Sequence, residues 1–103
     1  MEFDHIGVPA AAKRDGMRFL ESKRLWLTSP ADHPFRVEWL WYEPASPEAE
    51  LVRTTPHVAY RVESLEEAMA GYNVIAEPFD VFGEVRVGFI EVDGAPVEFV
   101  ESY

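Results

Sequence analysis

The 103-residue chain carries 9 Lys and Arg against 19 Asp and Glu, a formal net charge of −10, with 48% hydrophobic residues and no cysteine. Those values exclude disulfides and thiolate metal sites. They also argue against nucleic acid or an anionic membrane as partner, because neutralising phosphates takes clustered cations. No apolar run approaches the roughly 18 residues of a membrane span, and the acidic opening Met1-Glu2-Phe3-Asp4-His5 is no secretion signal; the expectation is one cytoplasmic domain over residues 1–103.

Taken in chain order, Glu2 to Val8 reads as a strand that Pro9 ends. Ala10 to Ser22 predicts a poor helix, because Gly16 interrupts it; Asp15 would cap a shorter helix holding Met17, Phe19 and Leu20. Arg24 to Thr28 is a short strand, Ser29-Pro30-Ala31-Asp32 a turn, and Phe35 to Tyr42 the strongest strand in the chain. Pro44 to Glu50, with two prolines, small residues and acids, is linker chemistry, and divides a first module (1–49) from a second (50–103). His57 to Val62 is a strand. Ser64-Leu65-Glu66-Glu67 is a capping box opening a helix that ends near Gly71. Val74 to Ala76, Glu84 to Val92 and Val97 to Glu101 are strands, the last two joined by an Asp93-Gly94 hairpin.

The two modules echo each other. Asp4-His5-Ile6-Gly7-Val8 matches Pro56-His57-Val58-Ala59-Tyr60, and Val37-Glu38-Trp39-Leu40 matches Val97-Glu98-Phe99-Val100. Side chains alternate across a strand. One face therefore carries Ile6, Val8, Val37, Trp39, Trp41, Val58, Tyr60, Val62, Val97 and Phe99, an apolar set for helices to cover. The other carries Phe3, His5, Gly7, Glu38, Leu40, Tyr42, His57, Ala59, Arg61, Glu98 and Val100. Its polar members include one His and one Glu from each module. Two imidazoles and two carboxylates suit a borderline divalent ion such as Zn, Ni, Co, Mn or Fe, so His5, Glu38, His57 and Glu98 are the candidate metal ligands.

These segments resemble the vicinal oxygen chelate superfamily, which includes glyoxalase I, methylmalonyl-CoA epimerase, extradiol dioxygenases and the bleomycin- and fosfomycin-resistance proteins. The likeness lies in Phe3 to Val8, in Pro56 to Val62, and in Asp93 to Glu101, a shortened form of the family's Asp-x-x-Gly-x-x-Glu ending. The resemblance implies an α+β fold of paired βαβββ modules, forming a curved mixed sheet with helices on its outer face. It places the family's ligands on His5, His57 and Glu98, and by strand position on Glu38. The chain departs from the family in its short length, its weak first helix, and only two strands after that helix where three are expected. Trimming should leave an open pocket.

The resemblance further implies a divalent ion (Zn, Ni, Co or Mn) held by the four ligands, with vicinal substrate oxygens filling the open positions. Glu98 or Glu38, letting go of the ion, would serve as the base in lyase, isomerase or epimerase chemistry on a small molecule through a metal-stabilised enolate. The alternative is metal-free binding of a small molecule, as in the resistance proteins, or a structural dimer with a vestigial site. Arg61 and Arg86 are candidates for holding a substrate carboxylate or phosphate, or else surface ion pairs. Tyr42 is a candidate hydrogen-bond donor at the pocket rim. Trp39 and Trp41 read as core under a helix and Trp26 as interface, while Glu48, Glu50, Glu66 and Glu67 read as solvated charge. A homodimer is expected, since pairing would cover exposed sheet edges.

Overall fold

Eight strands join into a single curled sheet in the computed structural model, which describes Met1–Tyr103. In chain order they are β1 (Glu2–Pro9), β2 (Arg18–Leu20), β3 (Leu25–Leu27), β4 (Val37–Tyr42), β5 (His57–Arg61), β6 (Asn73–Val81), β7 (Val85–Val92) and β8 (Ala95–Ser102). Two short helices, α1 (Glu50–Thr54) and α2 (Leu65–Met69), complete an α+β fold. The strands lie in the order β2-β3-β4-β1-β5-β8-β7-β6. The repeat seen in the sequence is the symmetry of this sheet: β1 runs parallel to β4, β5 runs parallel to β8, and β1 meets β5 antiparallel at the centre. No helix is long and apolar enough to cross a membrane.

The expected first helix does not form. Ala10 to Met17 is irregular, with Gly16 at φ +81°, and Arg18–Leu20 pairs with β3 as a strand. Leu20 then points into the concave side with Leu25, Leu27 and Leu40, while Phe19 stacks on Trp26 with ring centroids 4.8 Å apart. Burial of Leu20 outweighs the weak helical preference of a segment broken by glycine. This short strand brings the strands after β1 in the first module to three, so the strand count matches the βαβββ expectation where only two were read after the helix.

The outer face of the first module therefore has no helix over it, and Trp39 and Trp41 are not core beneath one. Cations from the preceding loop cover them instead. Lys13 Nζ lies 4.0 Å from the Trp26 ring centroid and 5.4 Å from that of Trp41, and the Arg14 guanidinium lies 3.8 Å from Trp39. Such contacts give about 0.5–1 kcal/mol each at exposed sites.

In the second module the helix forms as expected on the outer face. Ser64 Oγ accepts from the Glu67 amide at 3.2 Å, and Glu101 accepts from the Leu65 amide at 2.9 Å, which caps α2 twice. Leu65, Met69, Ile90 and Phe99 form the core beneath it. The helix α1 follows directly on the expected linker, over residues for which the sequence predicts no element. Its Val52 is fully buried with Ala59, Val87 and Val100, so this helix packs on the concave side. Glu48, just before it, is buried rather than solvated, 3.4 Å from Lys23 Nζ.

Leu65 is 0% exposed at the centre of the outer core. Leu65→Ala should lower stability by about 3 kcal/mol, the usual cost of emptying a buried leucine site, as read by urea denaturation. A loss under about 1 kcal/mol would mean that α2 does not anchor this face.

Candidate metal centre

The sheet register sets the site. Across β4, β1 and β5 lies the row Glu38–Gly7–His57, and across β1, β5 and β8 lies the row His5–Ala59–Glu98. Each row has a small residue in the middle and large polar residues at its ends. That is why both modules carry a small residue two positions after their His. A Cβ on Gly7 would overlap the His57 ring, which lies directly over it. Glycine here serves close approach rather than a turn.

The four predicted ligands converge. One donor atom from each of His5, Glu38, His57 and Glu98 lies within 4.8 Å of the others. His57 Nε2 donates to Glu98 Oε1 at 2.8 Å, while His5 Nε2 stands 3.3 Å from Glu98 Oε1 and 3.4 Å from Glu38 Oε1. The rings of His57 and Phe89 meet edge to face at 4.9 Å.

The electrostatics follow from this crowding. Burial opposes a charge on His5, but Glu98, Asp4 and Glu38 outweigh it and its pKa is pushed up to about 12. Burial would raise Glu98, yet His5 and His57 hold it down at about 2. Glu38 moves the other way: burial raises its carboxyl, and His5 only partly offsets this. Burial also raises the Tyr42 phenol well above its ordinary value, helped by the Glu48, Glu98 and Glu38 charges.

The donor set fits a divalent ion. His5 Nε2, buried and turned toward Glu38 and Glu98, makes no hydrogen bond, and buried polar atoms left unpaired are rare and call for an explanation. Ligands about 2.1 Å from a shared ion lie at most about 4.2 Å apart. The spread of 4.8 Å therefore needs a contraction of well under 1 Å.

One contributor has no counterpart in strand alternation. Between Phe3 and His5 the register shifts, so β1 bulges at Asp4. Phe3 faces outward beside Tyr60, half-exposed, and is not on the site face where alternation puts it. Asp4 turns inward beside its neighbour, buried, and accepts from His5 Nδ1 at 2.7 Å. The His5 hydrogen bond holds the Asp4 carboxyl down at about 2 against burial, with help from Arg61. Such a carboxylate fixes the histidine tautomer and leaves Nε2 to face the cluster. The Asp-His dipeptide was its only signal in the sequence.

The predicted substrate residues divide. Tyr42 lines the cavity. Arg61 also reaches it, but its guanidinium is committed, donating to Asp4 Oδ1 at 2.7 Å and to the Ser102 hydroxyl. Arg86 is on the opposite face of β7, donating to Glu101 at 2.9 Å and to Glu66 at 3.1 Å. It is a surface ion pair, because odd-numbered residues of β7 face the cavity and Arg86 alternates away from them. The cavity itself, about 260 Å³, lies within the curl of the sheet, partly open to solvent as the trimmed chain led one to expect, and is lined by all four candidate ligands.

No protein-family model and no curated protein matches this sequence. Among solved structures, a hypothetical protein from Bacillus halodurans C-125 is similar with a TM-score of 0.65 and 21% identity, covering 99% of this chain and 94% of that one. Methylmalonyl-CoA epimerase from Mycobacterium tuberculosis is similar with a TM-score of 0.65 and 18% identity, over 99% and 88%. The chain thus shares its fold with these proteins, one of which is named for an epimerase.

Two outcomes test the centre. Gly7→Ala should push His57 aside and weaken Zn binding roughly tenfold or more, read by competition with a chromophoric chelator, while circular dichroism stays unchanged. Binding should also release about one proton at pH 7, since the ion takes the position the His5 proton faces. Calorimetry in two buffers of different ionisation enthalpy measures it, and affinity should rise with pH. Unaltered affinity in the glycine variant would remove His57 from the ligand set.

Proposed function

We propose that this chain is a glyoxalase-like metalloprotein that moves a proton at a carbon next to a carbonyl, as an isomerase or epimerase of a small molecule. The observation that carries this is the cluster of two imidazoles and two carboxylates within 4.8 Å, with a buried imidazole nitrogen that faces both carboxylates and makes no hydrogen bond. The shared fold with an enzyme named as an epimerase supports the same reading. His5, Glu38, His57 and Glu98 would hold the ion. When bound, a divalent ion supplies Lewis acidity to substrate oxygens.

The chain's own groups divide the remaining work. Glu38 is the better proton carrier of the two glutamates. Burial raises its carboxyl toward the range a general base needs. Glu98 is held ionised between two histidines and is better suited to stay a ligand. Tyr42, kept protonated by burial, can donate a hydrogen bond inside the cavity. Homodimerisation belongs to the same proposal. The outer face of the first module carries Phe3 at 50% exposure and Ile6 at 38%, with no helix over them.

The test has three parts. Elemental analysis after gel filtration should find about one ion per chain, as a four-ligand site requires, and His5→Ala with His57→Ala should abolish it in a folded protein. In deuterated water the loaded protein should exchange the α-proton of acyl thioester or thiohemiacetal probes. Glu38→Gln should slow this by on the order of a hundredfold. Wild-type exchange in that variant would remove Glu38 as the base. Light scattering of the same sample should give twice the chain mass.

A further inference from the structure

The cavity has two chemically distinct parts, and the second says what kind of molecule the first would act on. The register puts Leu40 two residues beyond Glu38 on the same face, and Val100 two residues beyond Glu98. Leu27 pairs with Leu40, and Val87 pairs with Val100. The apolar wall thus begins directly beside the ligands on both flanks. Leu20 and Leu25 extend it on one side, and Phe79 and Val81 on the other, so the two ends of the sheet meet across the cavity.

No unpaired cation faces this wall. Three arginines reach the cavity, and each is engaged: Arg18 with Glu84 at 2.9 Å, Arg61 with Asp4 at 2.7 Å, and Arg36 with the Asp4 carbonyl and, at 3.7 Å, its carboxylate. The chain's net charge of −10 adds a field that repels anions. A phosphate or carboxylate tail would have to compete with an acid for every arginine it met.

We infer, building on the metal-dependent reading above, that the substrate is a small amphiphile: a head with two adjacent oxygens at the four-ligand cluster, and an uncharged apolar tail of about six carbons. The size follows from volume. An apolar cavity of about 150 Å³ accepts one benzene ring, so 260 Å³ accepts about ten non-hydrogen atoms, head included.

The experiment titrates Zn-loaded protein with hydroxamates, which present two adjacent oxygens. The series runs from acetohydroxamate to octanohydroxamate, with succinic monohydroxamate as the charged-tail control, followed by calorimetry. Affinity should rise about threefold per methylene and level off near six carbons. The charged tail should bind no better than acetohydroxamate. Leu27→Gln and the milder Val81→Thr should each remove much of the chain-length gain while leaving acetohydroxamate binding unchanged. Either variant suffices if the other fails to fold.

A flat chain-length series, or a preference for the charged tail, with acetohydroxamate still bound, would overturn the inference and leave the proposed function standing. Ion-free protein is titrated in parallel with hexanol. Failure to retain Zn or bind any hydroxamate would overturn the proposed function and the two-oxygen head with it. Hexanol binding that is lost in Leu27→Gln would still support the apolar chamber, and its absence would overturn that too.

Discussion

Two carboxylates and two imidazoles must leave water together, and the rest of the sheet is arranged around that requirement. A carboxylate buried alone costs several kcal/mol. Here each glutamate faces histidine nitrogen, and the two rows Glu38–Gly7–His57 and His5–Ala59–Glu98 interleave them. The strand pairing is what makes this possible. A slip of one residue in any of the four central strands would turn its ligand to the outer face and leave the others unbalanced. The bulge at Asp4 acts in the same direction. It admits one extra carboxylate to brace His5, and Arg61 and Arg36 then offset that carboxylate's own charge.

Much of this was legible before any coordinates. Strand alternation alone put His5, Glu38, His57 and Glu98 on one face, because pairing is regular through Glu38, His57 and Glu98 and the β1 bulge falls just before His5. The small residues after the two histidines were visible as part of the repeat, although their purpose needed the register. The Ser64 cap and the Asp93-Gly94 hairpin were local and read correctly, the hairpin with both residues at positive φ.

What the sequence hid was non-local. A bulge adds a residue without changing the pattern around it, so Asp4 and Phe3 traded faces unnoticed. Arg18–Leu20 is three residues long, too short to show a period, and only pairing with β3 makes it a strand. Glu48 looked like solvated charge because its partner Lys23 comes from the middle of the module, distant in sequence. Alternation put Arg61, but not Arg86, on the site face, and both stood as candidates for a substrate anion. What stayed hidden was the acids that engage them, Asp4 for Arg61 and Glu101 with Glu66 for Arg86.

The trimmed first module explains how the molecule balances its two sides. Without a first helix, the outer face there is held by aromatic and cationic contacts, which are weak one by one. The concave side compensates. Leu20, Leu25, Leu27 and Leu40 pack against Phe79, Val81 and Phe82, so that β2 and β3 meet β6 by side chains where no backbone hydrogen bonds join them. The same residues line the cavity. The contacts that hold the curl closed are therefore also the wall a ligand would touch. Enlarging that wall by shortening a leucine would cost about 2–5 kcal/mol at a buried site, against a domain stability of about 5–15 kcal/mol. A longer tail could be covered only by loosening the contacts that close the curl, so the size of the covered occupant and the stability of the fold are set by one group of side chains.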